Sequence, residues 1–429
     1  MLETLKNAFR IKDIRKKLFF TFCMMVVIRM GCQLPVPGVN RNYFSQWFAQ
    51  NSNDAFNFFS AFTGGSFEKM SIFALSITPY ITSSIIIQLL TIAIPALEEM
   101  HKDGEDGRKK IAAITRYVTV ALALIESIAM TVGFGRSGMI PNITFLKGFE
   151  VVVALTAGSA FLMWLGERIT EKGVGNGISI VLMINILSSI PSDITGLFEM
   201  FVKGKTLAHG ALAALIIIAV ILVTIVMVII LNDATRKIPV QYAKKMQGRK
   251  MVGGQSTFIP LKVNTSSLMS IPQMIVAFTG ANVGTGIGAT LIGMLSQNNW
   301  FNFSKPVYSI GLILYIVLNV FFAYFYTSIT FNPIEVADNM KKQGGFIPGI
   351  RPGKPTQEYL EKVLNYLVFI GAAGLIIVVL IPIFFNGVFG ASVSFGGTSI
   401  IIIVGVILET LKQIESQMLV RNYKGFLSE

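Results

Sequence analysis

The sequence predicts an all-α polytopic membrane protein with ten transmembrane helices. Its composition is 53% hydrophobic and 14% charged, with a mean hydropathy of +0.64, which is too apolar for a soluble globular protein. A helix needs about 20 mostly apolar residues to cross the hydrocarbon, and residues 211–231 form such a run without a charge. Comparable stretches recur along the chain. The predicted spans are 18–34, 72–94, 113–134, 149–166, 177–190, 210–231, 268–293, 306–330, 363–386 and 398–411.

The first span begins like a signal peptide, with basic residues before an apolar run, but no small-residue cleavage site follows it. We therefore expect it to remain as a membrane helix. Cys23 and Cys32 lie nine residues apart in this span, on opposite sides of one helix. They cannot pair with each other, and we expect two buried thiols and no metal site.

Basic residues concentrate in alternate loops. Of the 36 Lys and Arg residues, 28 lie in the two termini, in the loops after spans 2, 4, 6 and 8 or, in the case of Arg116, in the first turn of span 3. By the positive-inside rule these segments, including both termini, are predicted to be cytoplasmic. Topology thus explains most of the formal charge of +13 without nucleic acid.

Two of these loops are larger than orientation requires. Residues 232–267 carry seven basic side chains and one acid. The alternating polarity of KIPVQYA, followed by KKMQGRK with its central Gly248 and by QSTFIPLKV, predicts an extended hairpin with a basic tip. The loop 331–362 contains the stretch GGFIPGIRPGKPT, with Arg351 and Lys354. We expect a docking surface for an acidic partner; a merely solvated pair of loops is the alternative.

Irregular spans occupy matching positions in the two parts of the chain. Spans 2 and 7 carry prolines, and spans 5 and 10 are short and follow glycine-rich stretches. Such matching irregularities predict an inverted repeat with the working site between two five-helix halves. We place the halves at 1–190 and 191–429.

The side chains that these four spans offer to a pathway are apolar. No carboxylate, lysine or histidine is among them, so tight binding of an ion is not expected. Thr82, Ser83 and Gln88 form a polar stripe along span 2, although each alone fits ordinary helix packing. Arg29 and Glu126 are the clear intramembrane charges, and a structural pair between them is preferred over a proton relay.

Catalytic motifs are not found in the sequence. With only two histidines no zinc protease motif exists, and there is no GxSxG. GIRPGKPT is one residue too short for a phosphate loop, and Pro355 stands where Ser or Thr should hold magnesium. We therefore expect no enzyme, no cofactor and no metal.

Several long motifs resemble the SecY family, the central channel subunit of the bacterial Sec protein translocase. The similarity extends over nearly the whole chain. The motifs are QLPVPGVN, SIFALSITPYITSSIIIQLL, GERITEKGVGNGISI, YAKKMQGRK with QSTFIPLKVN, FNPIEVADNMKKQGGFIPGIRPGKPT, and FGGTS.

The resemblance implies an hourglass pore between the halves, closed by a ring of apolar side chains. Matched by motif, this predicted ring consists of Ile77, Ile81, Leu182, Ile186, Met274 and Ile402. Ile275 is the alternative to Met274, because the stretch before span 7 is about two residues longer than usual. A plug is implied at about 57–67, although NFFSAFTGGSFEKM is richer in phenylalanine than the family pattern.

The resemblance also implies a lateral gate to lipid, with Thr82, Ser83 and Gln88 among its polar residues. The two basic loops are implied to dock a SecA-like ATPase motor or the ribosome. Their docking residues are Lys244, Lys245, Arg249, Lys250, Arg351 and Lys354. Further implied partners are SecE-like and SecG-like small membrane subunits, preproteins with signal sequences, and lipid of the bacterial cytoplasmic membrane.

Two function classes compete. A protein-conducting channel needs an apolar girdle that closes around any chain, whereas a secondary transporter needs charged or strongly polar ligands near the midplane. The matched spans lack such ligands, so the channel is favoured and a small-solute transporter is the alternative.

Overall fold

The structure is a computed structural model that describes residues 9–50, 60, 62–136, 144–203, 207–242, 245–247, 250–252, 256–262, 300–301, 309–389 and 397–425. These residues are mainly helical, which confirms the predicted fold class. The helices are α1 (Lys12–Gly31), α2 (Arg41–Gln50), α3 (Thr78–Ala93), α4 (Pro95–Lys102), α5 (Glu105–Arg136), α6 (Phe145–Lys172), α7 (Gly177–Leu187), α8 (Ile190–Phe201), α9 (Leu207–Asp233), α10 (Ser309–Thr330), α11 (Pro333–Lys342), α12 (Lys354–Phe389) and α13 (Gly397–Gly425).

Among the described residues, six helices are long and apolar enough to cross a membrane, or seven if α3 and α4 form one bent span. This makes the chain a multi-pass membrane protein. Predicted span 7, at 268–293, lies outside the described residues. The count of ten spans therefore stays a prediction.

Prolines decide where α3 begins and ends. Pro79 lies in its first turn, where the missing N–H is not needed. Predicted span 2 began at residue 72, but the helix starts six residues later, after Ser76 at a φ of 53°. At the other end, Ile94 is extended before Pro95, and α4 turns 102° away from α3. A residue that precedes proline is pushed out of the helical region.

Two small sheets accompany the helices. Their strands are β1 (Thr235–Tyr242), β2 (Lys245–Gln247), β3 (Lys250–Val252), β4 (Ser256–Lys262) and β5 (Gly345–Phe346). β1 pairs antiparallel with β4, and β2 with β3, which confirms the hairpin predicted in 232–267. β5 comes from the other large loop and adds a third strand, in the order β4-β1-β5.

The described chain forms two compact units. One consists of Met1–Gly196 with Ile402–Glu429, and the other of Leu197–Ile401. In the first unit, the N–H of Gly175 donates to Oε1 of Gln413 at 2.9 Å, and Nζ of Lys17 donates to Oε1 of Gln417 at 3.2 Å. These bonds attach α13 to α1 and to the loop before α7.

The second unit has its own core. The buried rings of Trp300 and Tyr315 pack with Leu375, Val379 and Ile383. The ring centroids of Trp300 and Tyr315 lie 5.2 Å apart. This cluster connects α10 to α12.

The two cysteines differ in their surroundings. Both thiols are free, and Cys32 is buried as expected, but Cys23 is only half-buried. The expectation of two buried thiols is therefore wrong for Cys23, because the side of α1 that carries it is only partly covered.

Candidate functional site

Side chains of the predicted ring gather in one apolar cluster of the first unit. Ile77 is fully buried within this cluster, and Ile81, Leu182 and Ile402 pack against it half-buried. Ile81, Leu182 and Ile402 come from α3, α7 and α13, which are distant in sequence, and Ile77 is the N-cap residue of α3. The cluster can exclude water, and none of its members carries a formal charge.

The other proposed ring members are placed differently. Ile186 is fully buried but is not a member of this cluster. Met274 and its alternative Ile275 lie outside the described residues. The closure of a six-membered ring therefore stays a prediction, and four of its residues are shown to share one cluster.

Local caps set the register of α7. Oδ1 of Asn176 accepts a hydrogen bond from the N–H of Ile178 at 3.1 Å, as an N-cap residue does. Gly177 lies against Gly166 of α6 so closely that a Cβ would overlap its carbonyl. α7 therefore starts at one fixed point, and Leu182 follows one and a half turns later.

Part of the predicted plug region is described, namely residues 60 and 62–67. Gly64 and Gly65 have φ values of 65° and 75°, a conformation that favours glycine. Phe67 is buried, and its ring lies 6.1 Å from that of Phe44 and 6.0 Å from that of Phe134. The aromatic contacts hold the end of the plug region against α2 and α5.

The charge of Arg29 is directed at this region. Its Nη1 donates to the carbonyl oxygen of Gly64 at 3.3 Å, and Oγ of Ser188 donates to the same oxygen at 3.4 Å. Among the described residues no ion pair joins Arg29 to Glu126. The expected pair is therefore wrong, and the guanidinium donates to a backbone carbonyl instead.

The polar residues predicted to form a stripe along span 2 differ in their surroundings. Ser83 is fully buried and donates to the carbonyl oxygen of Thr115 at 2.8 Å, which fastens α3 to α5. Thr82 donates to the Thr78 carbonyl in its own helix at 3.1 Å. Gln88 is exposed. Their role in a lateral gate stays a prediction.

The three-stranded sheet β4-β1-β5, which we name the docking sheet, is anchored by a buried cluster. Ile238, Val240 and Leu261 of the sheet pack with residues from the segments on both sides of β5. Met340 of α11 precedes β5, and Ile347 and Leu360 follow it. The two basic loops therefore form one packed body rather than two separate projections.

Arg351 projects from this body. Ile347 is buried and Ile350 packs against the same cluster, while the carbonyl of Arg351 accepts from Oγ1 of Thr356 at 2.9 Å. The Arg351 side chain itself is exposed, and in the described part of the chain it makes no ion pair. A fixed backbone thus presents an available guanidinium. Lys354 starts α12 close by and is also exposed.

The hairpin residues are described in part. Lys245 pairs in register with Val252, and Lys250 with Gln247, at the far end of the hairpin. Lys244 and Arg249 lie outside the described residues. The docking role of Lys244, Lys245, Arg249 and Lys250 stays a prediction.

Sequence reasoning missed a polar contact beside two of the predicted ring residues, Ile77 and Ile186. Nδ2 of Asn185 donates to Oγ of Ser76 at 3.1 Å, and both residues are about 1% exposed. The signal was available, since Asn185 is a polar residue within an otherwise apolar run, GISIVLMINIL.

Comparisons with known proteins agree with this architecture. The SecY family model matches residues 71–411. A protein translocase subunit SecY from Streptomyces galbus is 44% identical, with 100% of both chains covered. The solved structure of a protein-conducting channel is similar with a TM-score of 0.56 at 18% identity, covering 94% of this chain and 93% of that one. An idle yeast Ssh1 complex bound to the 80S ribosome has a TM-score of 0.58 at 15% identity, covering 95% and 89%.

The two solved structures support the fold. The sequence similarity to the Streptomyces galbus protein extends over both full chains and is evidence of membership of one family. A family model that matches most of the chain and a relative that is 44% identical over its whole length agree with each other. The chain belongs to the SecY family.

Proposed function

We propose that this chain is a channel through which unfolded polypeptides cross the bacterial cytoplasmic membrane and from which membrane segments leave sideways into lipid. The observation that carries the proposal is the convergence of Ile77, Ile81, Leu182 and Ile402 from three helices on one apolar cluster. An apolar constriction can close around chains of any composition and resists ion leak by dewetting.

The proposal includes the arrangement of the chain around the pore and its orientation in the membrane. Residues 1–190 and 191–429 form the two halves around the pore, and both termini face the cytoplasm. The relative's name, protein translocase subunit SecY, supports a role in protein translocation. The role is that of a channel rather than an enzyme, so the energy for transport comes from a partner.

That partner docks on the docking sheet and on Arg351. The exposed guanidinium offers a planar fork for carboxylate or phosphate groups. A SecA-like ATPase and the ribosome both fit this chemistry, and a yeast structural neighbour is itself bound to a ribosome. Small SecE-like and SecG-like membrane subunits complete the assembly.

A transport assay tests the proposal. The chain is purified with its membrane subunits and reconstituted in vesicles, and a SecA-like motor, ATP and a preprotein with a signal sequence are added. We expect the preprotein to become resistant to external protease in an ATP-dependent way. A chain that accumulates a small solute but never protects a preprotein would be a transporter instead.

A further inference from the structure

A buried hydrogen bond lies immediately behind two predicted ring residues. It joins Nδ2 of Asn185 in α7 to Oγ of Ser76 before α3, at 3.1 Å. Ser76 precedes Ile77 and Asn185 precedes Ile186 in the sequence. The bond therefore links the two segments that carry these isoleucines.

Ser76 is held in a backbone conformation that a residue other than glycine rarely adopts. Its φ is 53°, which costs free energy and persists only where the surroundings fix it. Two side chains fix it here: Asn185 binds its hydroxyl, and Oγ of Ser159 donates to its carbonyl oxygen at 3.2 Å. Polar contacts from α6 and α7 thus set the position of Ile77.

The same part of α7 supports the plug region. A Cβ on Gly64 would lie 2.9 Å from both Cα and the carbonyl oxygen of Asn185, so the two backbones are in direct contact. Arg29 and Ser188 hold the Gly64 carbonyl from two sides. Asn185 therefore touches the plug region with its backbone and the start of α3 with its side chain.

The side-chain amide of Asn185 has two buried neighbours, Ser76 and Cys32. Its Nδ2 is used by Ser76, and its Oδ1 lies 4.0 Å from Sγ of Cys32, a weak donor. In a buried site the loss of one partner leaves the other polar group unsatisfied. A leucine of similar size would preserve the volume and remove the bonds.

We propose that Asn185 is a positioning residue for the closed channel, which holds the ring through Ser76 and seats the plug region at Gly64. This inference rests on the proposed function as a channel. When the bond between Asn185 and Ser76 is lost, Ile77 loses a support, and the α7 backbone against which Gly64 packs is no longer tied by this bond to the start of α3. Both barriers then open more often at rest.

The test is the resting ion conductance of Asn185→Leu, measured in planar bilayers with the full chain and its membrane subunits. We expect the resting conductance to rise by about fivefold, the factor expected when one buried hydrogen bond is lost. Ser76→Ala should give a similar rise, because it removes the hydroxyl acceptor alone. Asn319→Leu is the matched control, because Asn319 is also buried but donates to Tyr315 within its own helix.

A reversed pair separates positioning from simple loss of stability. Asn185→Ser combined with Ser76→Asn places the amide on the other side of the bond, and asparagine tolerates a positive φ. We expect this double variant to restore a low conductance. If both single variants insert at normal levels and stay as tight as the unmodified chain, the proposal is wrong.

The outcome also separates this inference from the proposed function. If the unmodified chain fails to translocate a preprotein, the proposed function is wrong. If it translocates normally and Asn185→Leu and Ser76→Ala leave the resting conductance unchanged, only the positioning role of Asn185 is wrong.

Discussion

Gln241 and Phe346 lie opposite each other in the antiparallel strands β1 and β5. This pairing joins two loops that are about 100 residues apart in sequence into the docking sheet. Beneath it, Ile238 and Ile347 share one buried cluster. A partner that binds Arg351 therefore contacts a body that also includes the hairpin.

The first prediction concerns Arg351. We expect Arg351→Glu to lower ATP-driven translocation by about 30-fold or more, because reversing one member of a docked charge pair costs about 2 kcal/mol or more. Arg351→Lys should restore only part of the activity, since lysine lacks the planar fork. Lys354→Ala should have a mild effect. The measurement is preprotein protection in vesicles at equal amounts of inserted chain.

Lys342→Glu serves as the control for Arg351. Lys342 is an exposed basic residue of the same loop, at the end of α11, so its reversal changes the loop's net charge by the same amount. We expect translocation to remain within about twofold of normal, as for most exposed charges. Equal losses in Lys342→Glu and Arg351→Glu would show that net charge matters rather than the Arg351 site.

The second prediction concerns the apolar cluster. Replacing Ile81 and Leu182 together by Asn should wet the constriction and raise the resting ion conductance in planar bilayers. Val153→Asn in α6 is the control, since Val153 is an exposed apolar residue of a membrane helix. Unchanged conductance in the double variant would indicate that these side chains serve packing only.

The third prediction concerns Ser83. Because its hydroxyl bridges α3 to α5, Ser83→Ala should lower the free energy of unfolding by about 0.6 kcal/mol, the usual worth of such a bond between membrane helices. Thermal unfolding in detergent would show a lower Tm, whereas Gln88→Ala, at an exposed position, should leave Tm unchanged. A changed requirement for the signal sequence with an unaltered Tm would instead favour a gate role for Ser83.

The fourth prediction concerns topology. Reporter enzymes fused after Lys203 or Lys305 should be active outside, and fusions after Lys250 or Lys354 should be active in the cytoplasm. The basis is the unequal distribution of basic residues between alternate loops. An exterior signal at Lys250 together with a cytoplasmic one at Lys203 would reverse the orientation.

Local patterns predicted the elements whose signals are local. Alternating polarity around KIPVQYA predicted β1, and the pairing of β1 with β4 confirms it. β5 was missed, because two residues carry no periodic signal and their pairing with β1 depends on distant packing. The bend of 102° between α3 and α4 follows from Pro95, yet its angle depends on how the flanking segments pack.

The candidate site was also predicted only in part. Family motifs identified Ile77, Ile81, Leu182 and Ile402, and the structure places these four in one cluster. The pairing of Arg29 with Glu126 was expected from charge and depth alone, and the structure shows Gly64 as the partner instead. A backbone carbonyl carries no formal charge, so complementary charges alone do not identify it as a partner. Asn185 was missed because it is also uncharged.

The central claim is that a polypeptide passes through the apolar cluster, and site-specific photo-crosslinking tests it most directly. A photoreactive residue is placed at Leu182 or, as a control, at Val153, and a preprotein is stalled halfway by a folded domain at its C-terminus. We predict that the stalled chain crosslinks to position 182 and not to position 153. Normal protection of the preprotein without a crosslink at 182, or with a stronger one at 153, would contradict the account.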